Sequence, residues 1–245
     1  MRILLGSGGY RTPERVANLR AHLVAHLGAI ERVLFIPYAL ADHDKYVQML
    51  NERGLNGGYE VIGIHRTPDP CRAIAEAEAI YVGGGNTFRL LHTLYQLDLL
   101  DRIRERVRAG VPYIGISAGT NVACPTIMTT NDMPIVQPPS FNALGLVPFQ
   151  INPHYYSGSN WVRRPLTPSP SPSEGRGEEF VEHFGETRDD RIREFHEMND
   201  TPVIGLWEAG VLLGDGTRFT LHDSPARIFR KGEPPTDVQP GGPVW

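Results

Sequence analysis

The chain has few cysteines, no long apolar run and no block of basic residues, and each absence narrows its possible functions. Its two cysteines, Cys71 and Cys124, lie too far apart in the 245 residues to suggest a metal site. No apolar run approaches the roughly 18–20 residues that span a bilayer, and the apolar start at 3–5 is too short for a signal peptide. With a formal net charge of −4, nucleic acid and anionic membranes are not expected partners. We therefore expect a cytoplasmic protein with reduced thiols.

Length and composition fit one large domain. The hydrophobic fraction of 40% is enough for a sizeable core, and we predict a single α/β domain over residues 1–231. A Pro- and Ser-rich inserted loop is expected at about 160–180, because alternating Pro and Ser cannot bury a core. The Pro- and Gly-rich segment 232–245 is predicted to be an irregular tail.

Short apolar strands alternate with helical patterns through the first half of the chain. This alternation predicts right-handed βαβ crossovers and a mostly parallel sheet flanked by helices. Four short strands near the end of the chain are predicted to form an antiparallel extension or edge of the same sheet. The predicted strands are 3–5, 32–37, 59–64, 79–82, 113–116, 203–207, 210–213, 218–221 and 226–230, and the predicted helices are 13–26, 43–53, 87–95 and 99–109.

The run 115–119 (Gly-Ile-Ser-Ala-Gly) has the pattern of a nucleophile elbow. In this pattern a serine ends a strand and opens a helix, and small neighbours are needed because the turn is tightly packed. Ser117 is therefore the candidate nucleophile, and the amide of Ala118 is aimed at the developing oxyanion. The alternative is a small-residue turn between a strand and a helix that carries no chemistry.

A serine hydroxyl needs a base at neutral pH, and His154 is the candidate because it ends an apolar strand in Asn-Pro-His. The alternative is a structural or exposed histidine. The other histidines fall in helix or turn patterns that look solvent-facing; they are His22, His26, His43, His65, His92, His183, His196 and His222.

The base needs an acidic partner, and two carboxylates have a suitable setting. Asp132 lies in a polar loop after the elbow helix, and Glu208 follows the strand predicted at 203–207. For each of them the alternative is a solvated loop carboxylate.

The turn 83–86 (Gly-Gly-Gly-Asn) lies between a predicted strand and a predicted helix. Amides at such a turn can hold an oxyanion or a phosphate. No Walker lysine follows, so a second oxyanion donor from Gly84 or Gly85 is favoured over a nucleotide site. The alternative is a tight turn that simply requires glycines.

Together these stretches resemble peptidase E, an Asp-specific dipeptidase family related in fold to class I glutamine amidotransferases. The 129–136 block is the most specific match. The matching stretches are 82–88 (VGGGNTF), 115–121 (GISAGTN), 123–127 (ACPTI), 129–136 (TTNDMPIV), 150–154 (QINPH), 185–188 (GETR), 191–194 (RIRE), 204–206 (IGL) and Glu208.

The resemblance implies hydrolysis of dipeptides with an N-terminal aspartate, with Ser117 as nucleophile and His154 as base. It maps the acid to Glu208, while Asp132 corresponds to an older assignment for a charge-relay role. We favour Glu208 as the direct partner of His154. Asp132 could instead orient the substrate amine or the site loop. The resemblance implies no metal or other cofactor.

Selectivity for aspartate needs a cation, and Arg188 matches the family's arginine in Gly-Glu-Thr-Arg. Its alternative role is a surface arginine paired with Asp189 or Glu186. Small Asp-X peptides are the expected partners of a monomer or homodimer. A cyanophycinase-like hydrolase of β-aspartyl peptides and a non-catalytic protein of the same fold remain alternatives. The Pro- and Ser-rich segment is where the chain departs from the family.

Overall fold

The computed structural model describes residues 1–158, 161–165, 178–182 and 185–245. The strands are β1 (Ile3–Gly6), β2 (Arg32–Ile36), β3 (Glu60–Gly63), β4 (Ile80–Val82), β5 (Tyr113–Ile116), β6 (Gln150–Tyr155), β7 (Trp161–Pro165), β8 (Glu178–Glu182), β9 (Val203–Trp207), β10 (Val211–Gly214), β11 (Phe219–His222), β12 (Ala226–Phe229) and β13 (Thr236–Val238). The helices are α1 (Pro13–Leu27), α2 (His43–Glu52), α3 (Pro70–Glu76), α4 (Thr87–Gln96), α5 (Leu100–Arg108), α6 (Ala118–Ala123) and α7 (Arg188–Met198).

The main sheet has seven strands in the order β11-β10-β1-β5-β4-β2-β3. Strands β1, β5, β4, β2 and β3 run parallel, and β10 and β11 add an antiparallel edge. Every residue of β1, β4 and β5 is buried, and hydrophobic clusters cover both faces, as expected when crossover helices flank a parallel sheet. The predicted α/β class with a mostly parallel sheet is confirmed.

A second sheet of four strands lies in the order β13-β12-β9-β6, with β6 parallel to β9. The prediction that all four late strands extend the first sheet is therefore wrong for two of them. Strands β10 and β11 join the first sheet, but β9 and β12 pair with each other in the second. Strand β9 pairs with β6, which lies far earlier in the chain, and is therefore part of the second sheet. Such long-range pairing leaves no local pattern in the sequence.

The C-terminal segment was expected to be irregular, and this is wrong for Thr236–Val238, which pairs with β12 as β13. The last residue is also anchored, because the Trp245 ring packs 4.8 Å from that of Phe149. Residues 166–177 of the Pro- and Ser-rich segment lie outside the described residues. On either side of them, β7 and β8 form an antiparallel pair.

Two histidines interpreted as solvent-facing are not. Burial, followed by the charge of Arg2, lowers the pKa of His26 to about 4, and its ring contacts the Tyr113 carbonyl oxygen at 3.2 Å. His196 is 7% exposed and its ring nitrogen lies 3.1 Å from the Thr201 carbonyl oxygen. His183 lies outside the described residues. Across the described ranges, no helix combines the length and apolar character that crossing a membrane requires.

Candidate active site

Ser117 lies at the turn between β5 and α6 in a backbone conformation that few L-residues adopt. Its φ is 55° and its ψ is −107°, and such strain is tolerated where the surroundings hold it. The Ser117 amide donates to the Gly6 carbonyl oxygen at 2.9 Å, and the Thr120 amide donates to the Ser117 carbonyl oxygen at 2.9 Å. The strand-to-helix context predicted for the elbow is therefore present.

The two glycines of the elbow are required by packing. A Cβ atom on Gly115 would stand 2.5 Å from the Gly119 carbonyl oxygen. One on Gly119 would stand 2.1 Å from the Val82 carbonyl oxygen. Any side chain at either position would push α6 away from β4 and β5, so the pattern read from sequence has a steric cause.

His154 links the serine to a carboxylate. Its Nε2 lies 2.8 Å from Ser117 Oγ, and its Nδ1 lies 2.8 Å from Glu208 Oε1. The carboxylate can only accept, so Nδ1 carries the proton and Nε2 accepts from the serine hydroxyl. Strands β6 and β9 are parallel neighbours, which brings His154 and Glu208 to the same edge. The structure thus brings together three of the predicted residues with the geometry of a serine hydrolase triad.

Cys124 lies at the end of the short helix that follows Ser117, and its environment makes its thiol unreactive. Its side chain is fully buried, and burial raises the pKa of its thiol to about 12. A thiol with this pKa is almost entirely protonated at neutral pH, and the thiolate is the nucleophilic form.

The Gly-rich turn lies beside the nucleophile. A Cβ atom on Gly84 would stand 3.0 Å from Ser117 Cβ. Gly85 has a φ of 133° and contacts Ala39, so it needs to be glycine. Burial raises the pKa of the nearby Tyr46 hydroxyl above its ordinary value, and the Gly84 amide offsets part of this shift.

Two amides near the nucleophile have no hydrogen-bond partner among the described residues. For the N–H groups of Gly85 and Ala118, no hydrogen-bond partner is found within the part of the chain that the structure describes. Amides without a partner beside a strained serine are what an oxyanion hole requires.

Asp132 lies in a loop and binds the start of α4, not a residue of the triad. Its Oδ2 accepts from the Thr87 amide at 2.8 Å, from the Thr87 hydroxyl at 2.6 Å and from the Thr130 hydroxyl at 3.1 Å. Thr87 is the first residue of α4, directly after the Gly-rich turn. Among the described residues, no hydrogen bond or ion pair joins Asp132 to His154. The carboxylate therefore anchors the start of α4, where negative charge is favourable.

Arg188 begins α7 and stacks on an aromatic ring. Its Cζ lies 5.5 Å from the ring centroid of Tyr156, two residues after His154. Its Nε is buried, and no partner for this atom is found in the described ranges. Burial lowers the pKa of the Arg188 guanidinium from its ordinary value.

The two carboxylates considered as partners of Arg188 are engaged elsewhere. Asp189 pairs with Arg227 at 3.1 Å, and Glu186 pairs with Arg191 at 3.4 Å. No ion pair between Arg188 and a described carboxylate is present. The guanidinium thus carries its charge in a half-buried setting without a counter-ion from the described side chains.

Residues 7–9, predicted only as a turn after the first strand, also line the site. The Ser7 hydroxyl accepts from the His154 amide at 2.8 Å. A Cβ atom on Gly8 would stand 2.6 Å from His154 Cε1, and one on Gly9 would stand 1.6 Å from Glu208 Oε2. The available signal was the Gly-Ser-Gly-Gly run itself, which follows a strand ending at the same edge as β5.

The arrangement is suited to nucleophilic acyl transfer. Within the described residues, no group of three or more His, Cys, Asp and Glu side chains could hold a metal ion. The hydroxyl, imidazole and carboxylate form one chain of hydrogen bonds. The amides of Gly85 and Ala118, for which no partner is found among the described residues, belong to the two turns beside the hydroxyl.

The chain is similar to known peptidases over most of its length. The family model of peptidase family S51 matches residues 2–222. The chain is 47% identical over 216 residues to peptidase E of Streptomyces coelicolor, covering 88% of this chain and 81% of that protein. It is 46% identical over 203 residues to a Drosophila melanogaster protein named "Probable alpha-aspartyl dipeptidase", covering 82% and 77%. The crystal structure of a peptidase from an acI-B1 Actinobacterium has the same fold, with a TM-score of 0.65 at 19% identity over 99% of this chain and 96% of that one.

Proposed function

We propose that this chain, which belongs to peptidase family S51 and is a serine-type dipeptidase, hydrolyses Asp-X dipeptides through a Ser117–His154–Glu208 triad. The observation that carries the proposal is the position of the imidazole, 2.8 Å from both the serine hydroxyl and the Glu208 carboxylate. Peptides are the substrates of the family. A cytoplasmic location is part of the proposal and fits the free thiols of Cys71 and Cys124.

In the proposed mechanism, Ser117 Oγ attacks the carbonyl carbon of the N-terminal aspartate while His154 Nε2 takes the hydroxyl proton. Glu208 holds the opposite ring N–H and stabilises the imidazolium that forms. The C–N bond then breaks, the leaving amine takes the proton from His154, and an aspartyl ester remains on Ser117. Water, activated by the same imidazole, hydrolyses this ester and restores the serine.

The oxyanion of each tetrahedral intermediate is assigned to the Ala118 amide and to an amide of Gly84 or Gly85. Donors of this kind act on charge that develops in the transition state, so they raise kcat more than they lower KM. Asp132 supports these donors indirectly, because its contacts with Thr87 fix the residue that follows the Gly-rich turn.

Arg188 is assigned to the β-carboxylate of the substrate. A guanidinium binds a carboxylate through two parallel hydrogen bonds and offers nothing comparable to the neutral amide of asparagine. Two features support the assignment: the side chain is half-buried against Tyr156, and its neighbouring carboxylates are paired with other arginines.

The nucleophile is tested with Ser117→Ala. We expect kcat for Asp-Leu to fall by about 1,000-fold or more, because a residue that forms the covalent intermediate has no substitute. A fluorophosphonate probe should label the wild-type protein and not the variant. Cleavage of Asp-Leu by Ser117→Ala at the wild-type rate would refute the mechanism.

The specificity is tested on Asp-Leu, Asn-Leu, Glu-Leu and β-Asp-Leu with Arg188→Ala beside the wild type. Losing a hydrogen bond to a charged group costs about 1.5–3 kcal/mol, so kcat/KM for Asp-Leu should fall about 10- to 150-fold. In Arg188→Ala the preference for Asp-Leu over Asn-Leu should also disappear.

Arg191→Ala is the matched control, because Arg191 lies on the same helix and is an exposed partner of Glu186. We expect it to keep wild-type selectivity. Unchanged selectivity in Arg188→Ala would remove the assignment of Arg188. If the wild-type enzyme cleaves β-Asp-Leu faster than the other three dipeptides, the substrate class is β-aspartyl peptides and not Asp-X dipeptides.

A further inference from the structure

The triad is divided between the two sheets. Ser117 follows β5 of the seven-stranded sheet, whereas His154 is the penultimate residue of β6 and Glu208 follows β9 of the four-stranded sheet. A hydrogen bond between Ser117 and His154 therefore requires the two sheets to be held at a fixed distance at this edge. A shift of about 1 Å between reacting groups can cost roughly 100-fold in rate.

Ser7 is placed to hold that distance. It follows β1, which pairs with β5 so that Gly6 lies opposite Ile116. Its side chain is fully buried. The hydroxyl accepts from the His154 amide at 2.8 Å and donates to the Leu206 carbonyl oxygen at 2.9 Å. The Ser7 hydroxyl, directly after a strand of the first sheet, thus binds the two strands of the second sheet that position His154 and Glu208.

The backbone at His154 needs such support. Its φ is 54°, a conformation that L-residues rarely adopt, and the pairing of β6 with β9 is irregular between Pro153 and Tyr155. At an irregular position the His154 amide takes its partner from Ser7 instead of from the neighbouring strand. Without the hydroxyl, the His154 amide and the Leu206 carbonyl oxygen would each lose this partner.

The backbone of the same loop adds two further links between β1 and the turn after β9. The Ser7 amide donates to the Gly210 carbonyl oxygen at 2.9 Å, and the Ala209 amide donates to the Gly8 carbonyl oxygen at 2.7 Å. These links involve the two residues that directly follow Glu208, and they remain when the Ser7 side chain is changed. A substitution of Ser7 can therefore remove the hydroxyl and leave the main-chain connection between the sheets.

We propose that Ser7 is a positioning residue: its buried hydroxyl fixes the backbone of His154 so that the imidazole meets Ser117 and Glu208 at once. Ser7 touches no reacting atom and acts through His154. The kinetic test of this inference rests on the proposed function, because it measures the cleavage of an Asp-X dipeptide. The position of the imidazole can be measured without a substrate.

The test is Ser7→Ala, with kcat and KM for Asp-Leu measured separately. We expect kcat to fall about 10- to 100-fold, because the imidazole is displaced, and KM to stay within about twofold. The second readout is the downfield proton resonance of His154 Nδ1–H, identified by its absence in His154→Ala. It should shift or broaden in Ser7→Ala as the bond to Glu208 loosens.

Thr129→Val is the matched control. Thr129 is 6% exposed, and its hydroxyl donates to the Ile151 carbonyl oxygen at 2.9 Å, so it also binds the β6 backbone through a buried hydroxyl. It should leave the His154 resonance in place and change kcat by no more than about twofold. If Ser7→Ala does not fold, Ser7→Cys, whose thiol is a poor acceptor of similar size, is measured in the same way.

The failure of this inference and that of the proposed function give different results. A folded Ser7→Ala or Ser7→Cys protein with wild-type kcat and an unchanged His154 resonance would overturn the role of Ser7. A raised KM with unchanged kcat would overturn it as well. If the wild type does not cleave Asp-X, but Ser7→Ala disturbs the resonance and slows fluorophosphonate labelling of Ser117, the role of Ser7 holds and the proposed substrate fails.

Discussion

Two carboxylates, Glu208 and Asp132, lie near the nucleophile turn, and they differ in what they bind. Glu208 accepts from an imidazole, 2.8 Å from His154 Nδ1. Asp132 accepts from an amide and two hydroxyls at the start of α4. In the proposed mechanism the two carboxylates therefore have different roles. Glu208 supports the proton transfer, and Asp132 supports the turn whose amides are assigned to the oxyanion.

The difference comes from the elements that carry the two side chains. Glu208 follows β9, whose parallel neighbour β6 carries His154 as its penultimate residue. Asp132 belongs to a loop tied to the Gly-rich turn, and in the same loop Met133 accepts from the Asn86 side chain at 2.8 Å. A carboxylate near an active-site serine is therefore assigned by its hydrogen-bond partners and not by its distance from the serine along the chain.

The largest effect should come from Glu208→Gln. The amide keeps the size of the side chain but can donate to His154 Nδ1, which favours the wrong tautomer, and the corresponding change in a serine protease lowers kcat by about 10⁴-fold. We expect a loss of about 1,000- to 10,000-fold in kcat for Asp-Leu. A loss below tenfold in steady-state kinetics would mean that Glu208 does not orient the base.

Asp132→Asn should have an intermediate effect. The amide oxygen can still accept from Thr87, but the negative charge at the start of α4 is lost. We expect kcat to fall about 10- to 100-fold, with KM within about twofold, because the oxyanion donors act in the transition state. Asp132→Ala, which removes the acceptor as well, should be more severe.

Two outcomes would change the assignment of Asp132. A raised KM with an unchanged kcat would move its carboxylate to the substrate ammonium group. If Asp132→Asn lowered kcat as much as Glu208→Gln does, the two carboxylates would be equally important for catalysis. The distinction drawn between them would then be wrong.

The smallest effect should come from Thr130→Val, which removes one of the three donors to Asp132 Oδ2. The remaining two donors both belong to Thr87, so the link to α4 persists. We expect kcat to change by no more than about threefold, since one net hydrogen bond contributes about 0.5–1.5 kcal/mol and most of that falls on stability. A loss of 100-fold or more would place Thr130 itself in the catalytic machinery.

The parts that could be predicted from sequence are those whose cause is local. The parallel strands and the elbow follow from hydrophobic runs and from glycines that packing requires at positions 115 and 119. The choice between Glu208 and Asp132 stayed open at that level, with Glu208 favoured only by resemblance. It depends on β6 pairing with β9 across roughly fifty residues of chain, which no local pattern records.

The same reason explains what was missed. Ser7 directly follows β1, and its link to His154 exists only because the two sheets meet there. The tail strand β13 is short, and its pattern is polar because two of its three residues are exposed. Hydrophobic periodicity therefore gave no signal for it.

A double-mutant comparison tests the central claim most directly. Residues that act as one unit are not additive, whereas independent ones are. We measure kcat/KM for Asp-Leu in His154→Ala, alone and combined with Glu208→Gln or with Asp132→Asn. The account predicts that Glu208→Gln costs less than about threefold once His154 is gone, while Asp132→Asn costs the same factor as in the wild type. If Asp132→Asn became neutral and Glu208→Gln kept its full cost, Asp132 would be the partner of His154 and the account would be wrong.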